Sequence, residues 1–191
     1  MRYKTDHHER SHKRIIDVAS HRFREDGIAA AGLARVMQDA GLTKGAFYAH
    51  FSSKDALVQA GLMVALDTQR DHAAQALSDG AAIEEVIRAY LSPRHRDCPS
   101  NGCPTSALAS EIARQPRKLR MAYTKRLSEF LQLLMDHLPS DDPELNRKRA
   151  TGLFATMIGT LQLSRAVSDK ALSDQILQDG IEMALLALDR K

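Results

Sequence analysis

The sequence predicts an all-α protein in two parts, a three-helix head over residues 1–53 and a helical body over residues 54–191. Three observations lead there. The chain is rich in Ala, Leu and Arg, which favour helix, and no run of Val, Ile, Thr and Tyr alternates as a half-buried strand would. Apolar residues recur at helical spacing instead, punctuated by glycine and proline. The stretch Gly32 to Phe51, GLARVMQDAGLTKGAFYAHF, reads as a short helix, a tight turn and a second short helix.

Within that stretch Leu33, Val36, Met37 and Ala40 share one helix face. Gly41 stops the helix, because glycine enters the left-handed region without a Cβ clash. Leu42 follows as a hydrophobic plug. Thr43 suits an N-cap, with a hydroxyl able to accept from the next turn. Lys44 to His50 form the second helix, with Phe47 turned inward. Two helices joined by a short glycine turn match the DNA-binding helix-turn-helix, whose second helix enters the major groove. An ordinary αα-hairpin has the same outline.

The longer run Thr43 to Leu57 resembles the TetR family of bacterial transcriptional regulators, whose signature has the form A-G-V-S-x-G-x-F-Y-x-H-F-x-S-K-x-x-L. Ala40, Gly41, Gly45, Phe47, Tyr48, His50, Phe51, Ser53, Lys54 and Leu57 match it, with Leu42 and Thr43 as close substitutes. Ile15-Ile16-Asp17-Val18-Ala19, with Phe23 and Gly27, is similar to that family's first helix. The resemblance spans roughly residues 10–60. Ala31-Gly32 departs from it where the family has Thr or Ser, and Met37 stands where the family favours alanine.

The resemblance implies a DNA-binding regulator, not an enzyme, with no cofactor and no catalytic residue. It implies a homodimer on a palindromic double-stranded operator, acting as a repressor that a small-molecule inducer releases; activators occur in the family too. The residues expected at DNA are Thr43, Lys44, Gly45, Tyr48, His50 and Lys54.

In chain order, residues 1–9 read as an arm in which Arg2 and Lys4 could touch DNA. A helix over about 9–26 carries Ile15, Ile16, Ala19 and Phe23 inward, with Lys13 or Arg14 free to meet a phosphate. Gly27 ends it and Ile28 tucks beneath the motif. Ser52 with Asp55 resembles a capping box that opens a helix reaching residue 78. At 1.5 Å per residue such a helix is ~37 Å long, enough to join head to body. Asp79-Gly80 closes it, and Ala82 to Leu91 form the next helix.

Ser92 to Pro104, with three prolines and a glycine, reads as a loop. Pro104 suits the first turn of the following helix, which Gln115-Pro116 interrupts. A helix then runs to about Leu138, and Pro139 to Pro143 break the chain again. The last two helices, about 144–167 and 172–189, have apolar stripes too wide for one small body, so a homodimer is expected through them. Gly152 and Gly159 suggest close backbone approach or are neutral.

Pocket candidates are Met63, Leu66, Tyr90, Ile112, Tyr123, Phe130 and Met157, each equally readable as core packing. Cys98 and Cys103 form a possible redox site, with Arg94, His95 and Arg96 near enough in sequence to favour a thiolate. This gives the alternative of a thiol- or electrophile-responsive regulator. In the other reading Cys103 is a small buried hydrophobe and Cys98 a neutral loop residue. No metal site is expected: His95, Cys98 and Cys103 lack a fourth zinc ligand, and the pair His8 and His12 lacks a third.

Other classes fit less well. No apolar segment approaches the ~18 residues of a membrane span, and MRYKTDHHERSHKR has no apolar stretch of a secretory signal, so a cytoplasmic location is expected. Two cysteines make no disulfide framework. The net charge of +3 resides in residues 1–55, with five of the eight histidines, while residues 56–191 are neutral. A phosphate-binding head needs that bias, and a sequence-neutral architectural DNA binder would be basic throughout. A di-metal helix-bundle enzyme needs two Glu-x-x-His motifs, and only Glu9-x-x-His12 is present. Walker loop, nucleophile elbow and HExxH are all missing.

Overall fold

The computed structural model describes the backbone of residues 2–189 and the side chains of residues 7–188. Among these residues the chain is helical with no strand. Helix α1 (Arg2–Asp26) begins at Arg2, so the expected arm is helical; the side chains of Arg2 and Lys4 lie outside the described residues. Ile15, Ala19 and Phe23 recur at helical spacing and are buried, and Ile28 turns in beneath them.

Helix α2 (Leu33–Asp39) starts on Gly32, which has no side chain to cap it. Val36, Met37 and Ala40 fill the space between α2 and α1. The left-handed backbone at Gly41 (φ +70) makes the turn. The second helix of the motif is not α-helical, because Lys44–Ala49 winds as a 3-10 helix. In so short a piece, i→i+3 bonds satisfy end groups that a single α-turn would leave open. Thr43 therefore does not cap with its hydroxyl: its carbonyl accepts from Ala46 N–H at 3.0 Å instead.

Helix α3 (Lys54–Ser78) is capped by Ser53, not Ser52, the Ser53 hydroxyl accepting from Ala56 N–H at 3.1 Å. It crosses α1 at Gly61, where a Cβ would stand 3.2 Å from the Phe23 ring and 3.3 Å from the Ser20 backbone nitrogen. Leu57, Val58 and Leu62 complete the core of the head. That core also takes Leu108 and Ile112 from α6 (Pro104–Ile112) and Leu119 from α7 (Arg117–Met135). A second core lies between α4 (Ile83–Tyr90), α7, α8 (Pro143–Ala166) and α9 (Lys170–Asp189), built on Ile87, Leu134, Leu153, Met157, Leu161 and Leu177.

The segment expected as an open loop contains α5 (Pro93–Asp97) and a 3-10 turn, Pro99–Asn101. Its prolines open helices rather than break them, since a helix's first residue has no use for an N–H. Gly152 and Gly159 face open space within the chain. The close approach of α8 and α9 is at Gly180 instead, where a Cβ would overlap the Thr160 side chain. Gly180→Ala should therefore destabilise the protein by about 1–3 kcal/mol, the usual scale of overpacking. Adding Thr160→Ala should recover part of that loss in a denaturation series, whereas additive effects would show that the two positions do not touch.

Candidate nucleic-acid interface and ligand cavity

The head presents the 3-10 helix Lys44–Ala49 on its surface. Phe47 anchors it from below, stacking on Phe51 at 5.7 Å between ring centroids. Tyr48 is 75% exposed, an unusual position for a large aromatic, and meets only the Phe47 ring edge-on at 5.2 Å. Thr43, Lys44 and Gly45 are exposed beside it. No protein atom requires glycine at 45: a Cβ there would meet only Thr43 Oγ1, at 4.0 Å. Lys54 is half-buried at the start of α3, one residue past the cap.

His50 closes the segment from the other end. It stacks on His8 of α1 at 4.3 Å and lies near His12, which stacks in turn on Phe51 at 4.5 Å. His8 Nε2 is 3.1 Å from the Ala49 carbonyl oxygen. The His8–His12 spacing thus serves ring packing against the motif. Arg22 of α1 donates to Asp39 at the end of α2 at 2.7 Å, tying the motif's first helix to α1. Burial, then the neighbouring His8, His12 and His7, hold the His50 imidazole below its ordinary range.

The body contains a cavity of about 640 Å³ between α3, α4, α7, α8 and the segment 92–103. Tyr90, Phe130 and Met157 line it. Met63, Leu66, Ile112 and Tyr123 do not: all four belong to or pack against the core of the head. The first halves of α3 and α7 and the end of α6 pack together beneath the head, and these four residues lie there. The cavity meets α3 further along, at Thr68, Gln69, His72 and Ala76.

Sequence reading missed Arg24 and Arg165, which shape this cavity from remote helices. Arg24 of α1 donates to the Gly102 carbonyl at 2.9 Å and to the Ser20 carbonyl at 3.1 Å. Arg165 of α8 donates to the carbonyls of His95, at 2.6 Å, and Arg96, at 3.0 Å. His95 is held between them. Its Nδ1–H donates to the Tyr90 carbonyl at 2.7 Å, and its Nε2 accepts from Cys103 N–H at 2.8 Å. Both nitrogens are occupied and burial lowers its pKa, so the ring is neutral and has no lone pair left for a metal. Gly102 permits this packing, since a Cβ would reach within 2.6 Å of His95 Cδ2.

Cys98 is exposed and Cys103 buried, both as free thiols on the cavity wall. Cys103 is the N-cap of α6, its sulfur 3.4 Å from Ser106 N–H. Arg96, read as a partner for the thiols, turns away to Asp97 and Asp174. Glu9 is exposed on α1, apart from any second Glu-x-x-His element. No group of three or more His, Cys, Asp or Glu among the described residues could hold a metal ion.

The profile of the bacterial regulatory proteins, tetR family, matches residues 15–60, the head described above. The HTH-type transcriptional regulator TtgR of Pseudomonas putida is 37% identical over 174 residues, 91% of this chain and 73% of that protein. A TetR-family regulator from Cytophaga hutchinsonii superposes with a TM-score of 0.73 at 20% identity, covering 96% of this chain and 98% of that one. FadR of Bacillus subtilis, solved in complex with stearoyl-CoA, superposes with a TM-score of 0.64 at 16% identity, covering 93% and 97%. At such identities the two structural matches establish the fold alone.

The depressed His50 pKa makes a prediction for stability. The unfolded chain binds a proton in the ordinary imidazole range near about 6.5, before the folded chain does. The stability held by the neutral ring is thus fully present above that range and is lost as pH falls through it toward the lower folded value. Melting followed by circular dichroism should show Tm dropping on mild acidification. His50→Asn should flatten the drop without removing it, because burial also depresses His21 and His95. A Tm that rises on acidification would contradict this assignment.

Proposed function

The chain belongs to the TetR family of bacterial regulatory proteins, and on that premise we propose that it binds a palindromic operator as a homodimer and represses transcription until a small molecule enters the cavity. It is a DNA-binding transcriptional regulator and not an enzyme. The observation that carries the reading is the surface of the 3-10 helix: an exposed tyrosine, an exposed lysine, and a glycine that nothing inside the chain demands. A phosphate backbone passing close to Gly45 accounts for the glycine. Lys44 reaches base edges from the start of the segment. Thr43 has a free hydroxyl for a phosphate, and Tyr48, His50 and Lys54 serve backbone positions.

In this reading residues 1–53 are the reading head and residues 54–191 the regulatory body, with α3 shared as the lever between them. Two heads must reach major grooves ~34–36 Å apart. Dimerisation uses the outer faces of α8 and α9, where Leu163, Leu172, Met183 and Leu186 are exposed and Gly152 and Gly159 leave a smooth surface. Two such helices from each subunit make a four-helix bundle. Tyr90, Phe130 and Met157 line the inducer cavity, and FadR supplies a precedent for a small molecule on this fold. The inducer shifts the equilibrium by its differential affinity for the two head spacings and no more. A thiol-responsive form of the same switch would start at exposed Cys98, since Cys103 is enclosed. A cytoplasmic location goes with operator binding, and no helix among the described residues is long and apolar enough to cross a membrane.

Gel shifts with DNA from upstream of the protein's own coding region test the head. Lys54→Ala should weaken binding to all sequences alike and lower the salt slope by about one unit. The double variant Lys44→Ala, Tyr48→Ala should lose operator preference; if it shifts the operator as the parent does, the head is misassigned. Light scattering should report twice the 21.2 kDa chain mass. Leu186→Glu should return the monomer, because a charge in that apolar contact would be unpaired.

A further inference from the structure

Resting on the reading of the cavity as the inducer site, we infer that it selects anions: its ligand is an apolar molecule carrying a carboxylate, held by Arg24 and the Tyr90 hydroxyl. The basic residues on the wall are Arg24, His72, Arg94 and His95, with no Asp or Glu beside them. A cationic ligand would therefore find no counter-charge.

Arg24 is the centre of the inference. It is only 8% exposed. Its partners are neutral, namely the Ser20 carbonyl, the Gly102 carbonyl and, at 3.3 Å, the Ser20 hydroxyl. Arg96 is enclosed to the same degree and shows the contrast, because Asp97 and Asp174 both pair with it. Burial without a carboxylate draws the Arg24 pKa down. A buried charge without a partner is unfavourable, and a ligand carboxylate would relieve it. The guanidinium has five N–H donors, and the three bonds named leave two for a ligand.

The second observation is independent. The Tyr90 hydroxyl is buried on the cavity wall beside Cys103 and Ser106 without a hydrogen bond of ordinary length to either, and the side-chain nitrogen of Gln69 is buried there without a partner. Burial pushes the Tyr90 phenol upward, so it stays protonated and can donate. The Tyr90 ring meets His95 edge-on at 4.6 Å, His95 accepts from Cys103 N–H, and Arg24 donates to the adjacent Gly102 carbonyl, which places Tyr90 and Arg24 about the same stretch of the cavity wall. The same lining includes the apolar side chains Val86, Phe130, Leu134 and Met157. Donors and positive charge together with hydrocarbon in one cavity fit an amphipathic acid. Because Arg24 belongs to α1, a carboxylate that draws it away from Gly102 and Ser20 acts on the helix that carries the reading head.

The test is calorimetry on the full chain with three matched probes: phenylbutyrate, its primary amide and phenylbutylamine. The acid should bind about tenfold tighter than the amide, and the amine weakest. Arg24→Gln should bring the acid down to the level of the amide, while Arg24→Lys should keep part of the preference and covers the case in which the glutamine variant does not fold. Tyr90→Phe should weaken acid and amide alike. Arg88→Gln, exposed on α4 and outside the cavity lining, should leave the ranking intact. An amine that binds as tightly as the acid, an acid-to-amide ratio unchanged by Arg24→Gln, or no binding by any probe overturns the inference. Gel shifts separate it from the regulatory reading. A parent that shifts its operator but shows no acid preference loses only the anion site. A parent that ignores operator DNA while the acid preference follows Arg24 keeps the anion site and loses operator release.

Discussion

Two arginines remote in sequence hold the segment from Pro93 to Gly102 between α1 and α8, and much of the structure depends on that restraint. A segment of one short helix and one 3-10 turn leaves several carbonyls without helical partners. Arg24 and Arg165 supply the missing donors. With the segment fixed, His95 is locked in one tautomer, Cys103 is placed to start α6, and the cavity gains its polar wall. From α6, Glu111 reaches across to accept from Ala29 N–H at 2.9 Å, just before the helix-turn-helix. A continuous run of hydrogen bonds therefore joins α8, the cavity wall, α6 and the reading head.

The head itself rests on a different force. Its interior is a close-packed apolar cluster in which α1 and α3 approach closely at Gly61, and each added atom is felt there. That rigidity allows so small a motif to hold an aromatic ring outward. The 3-10 helix is fixed from beneath by Phe47 and from the side by the His8–His50 stack, so Tyr48 remains exposed without the segment loosening. The salt bridge from Arg22 to Asp39 is more exposed and adds orientation more than stability.

Local signals in the sequence foretold most of the helices. The stripes of Ile15, Ala19 and Phe23, or of Leu153, Met157 and Leu161, need only the 3.6-residue period, and Gly41 needs only its own backbone freedom. What depended on distant partners was hidden. Pro104 was legible as the first residue of its helix, but prolines 93 and 99 looked like parts of a loop because nothing nearby shows that helices begin at them. Ser52 and Ser53 are equivalent as local caps, and the direction of α3 chose the second. Three of the seven pocket candidates, Tyr90, Phe130 and Met157, line the cavity, since they lie on helices that enclose it. Met63, Leu66, Ile112 and Tyr123 went to the other core, where α3, α6 and α7 pack against the head, and helical period alone does not tell one core from the other. Nothing near Arg24 in the sequence marks it out, and only Gly102, far along the chain, reveals its role.

The sharing of the first core across the chain bears on how the protein is made. Ile15, Phe23 and Val36 emerge from the ribosome early, but Leu108, Ile112 and Leu119 complete their cluster. Domains usually fold in the order in which they are synthesised. Here the DNA-reading unit, although it precedes the body, lacks part of its interior until the chain through Leu119 has been translated. A nascent head is thus incompletely packed while the body is still being made, and the ability to grip an operator arrives together with the part that senses when to let go.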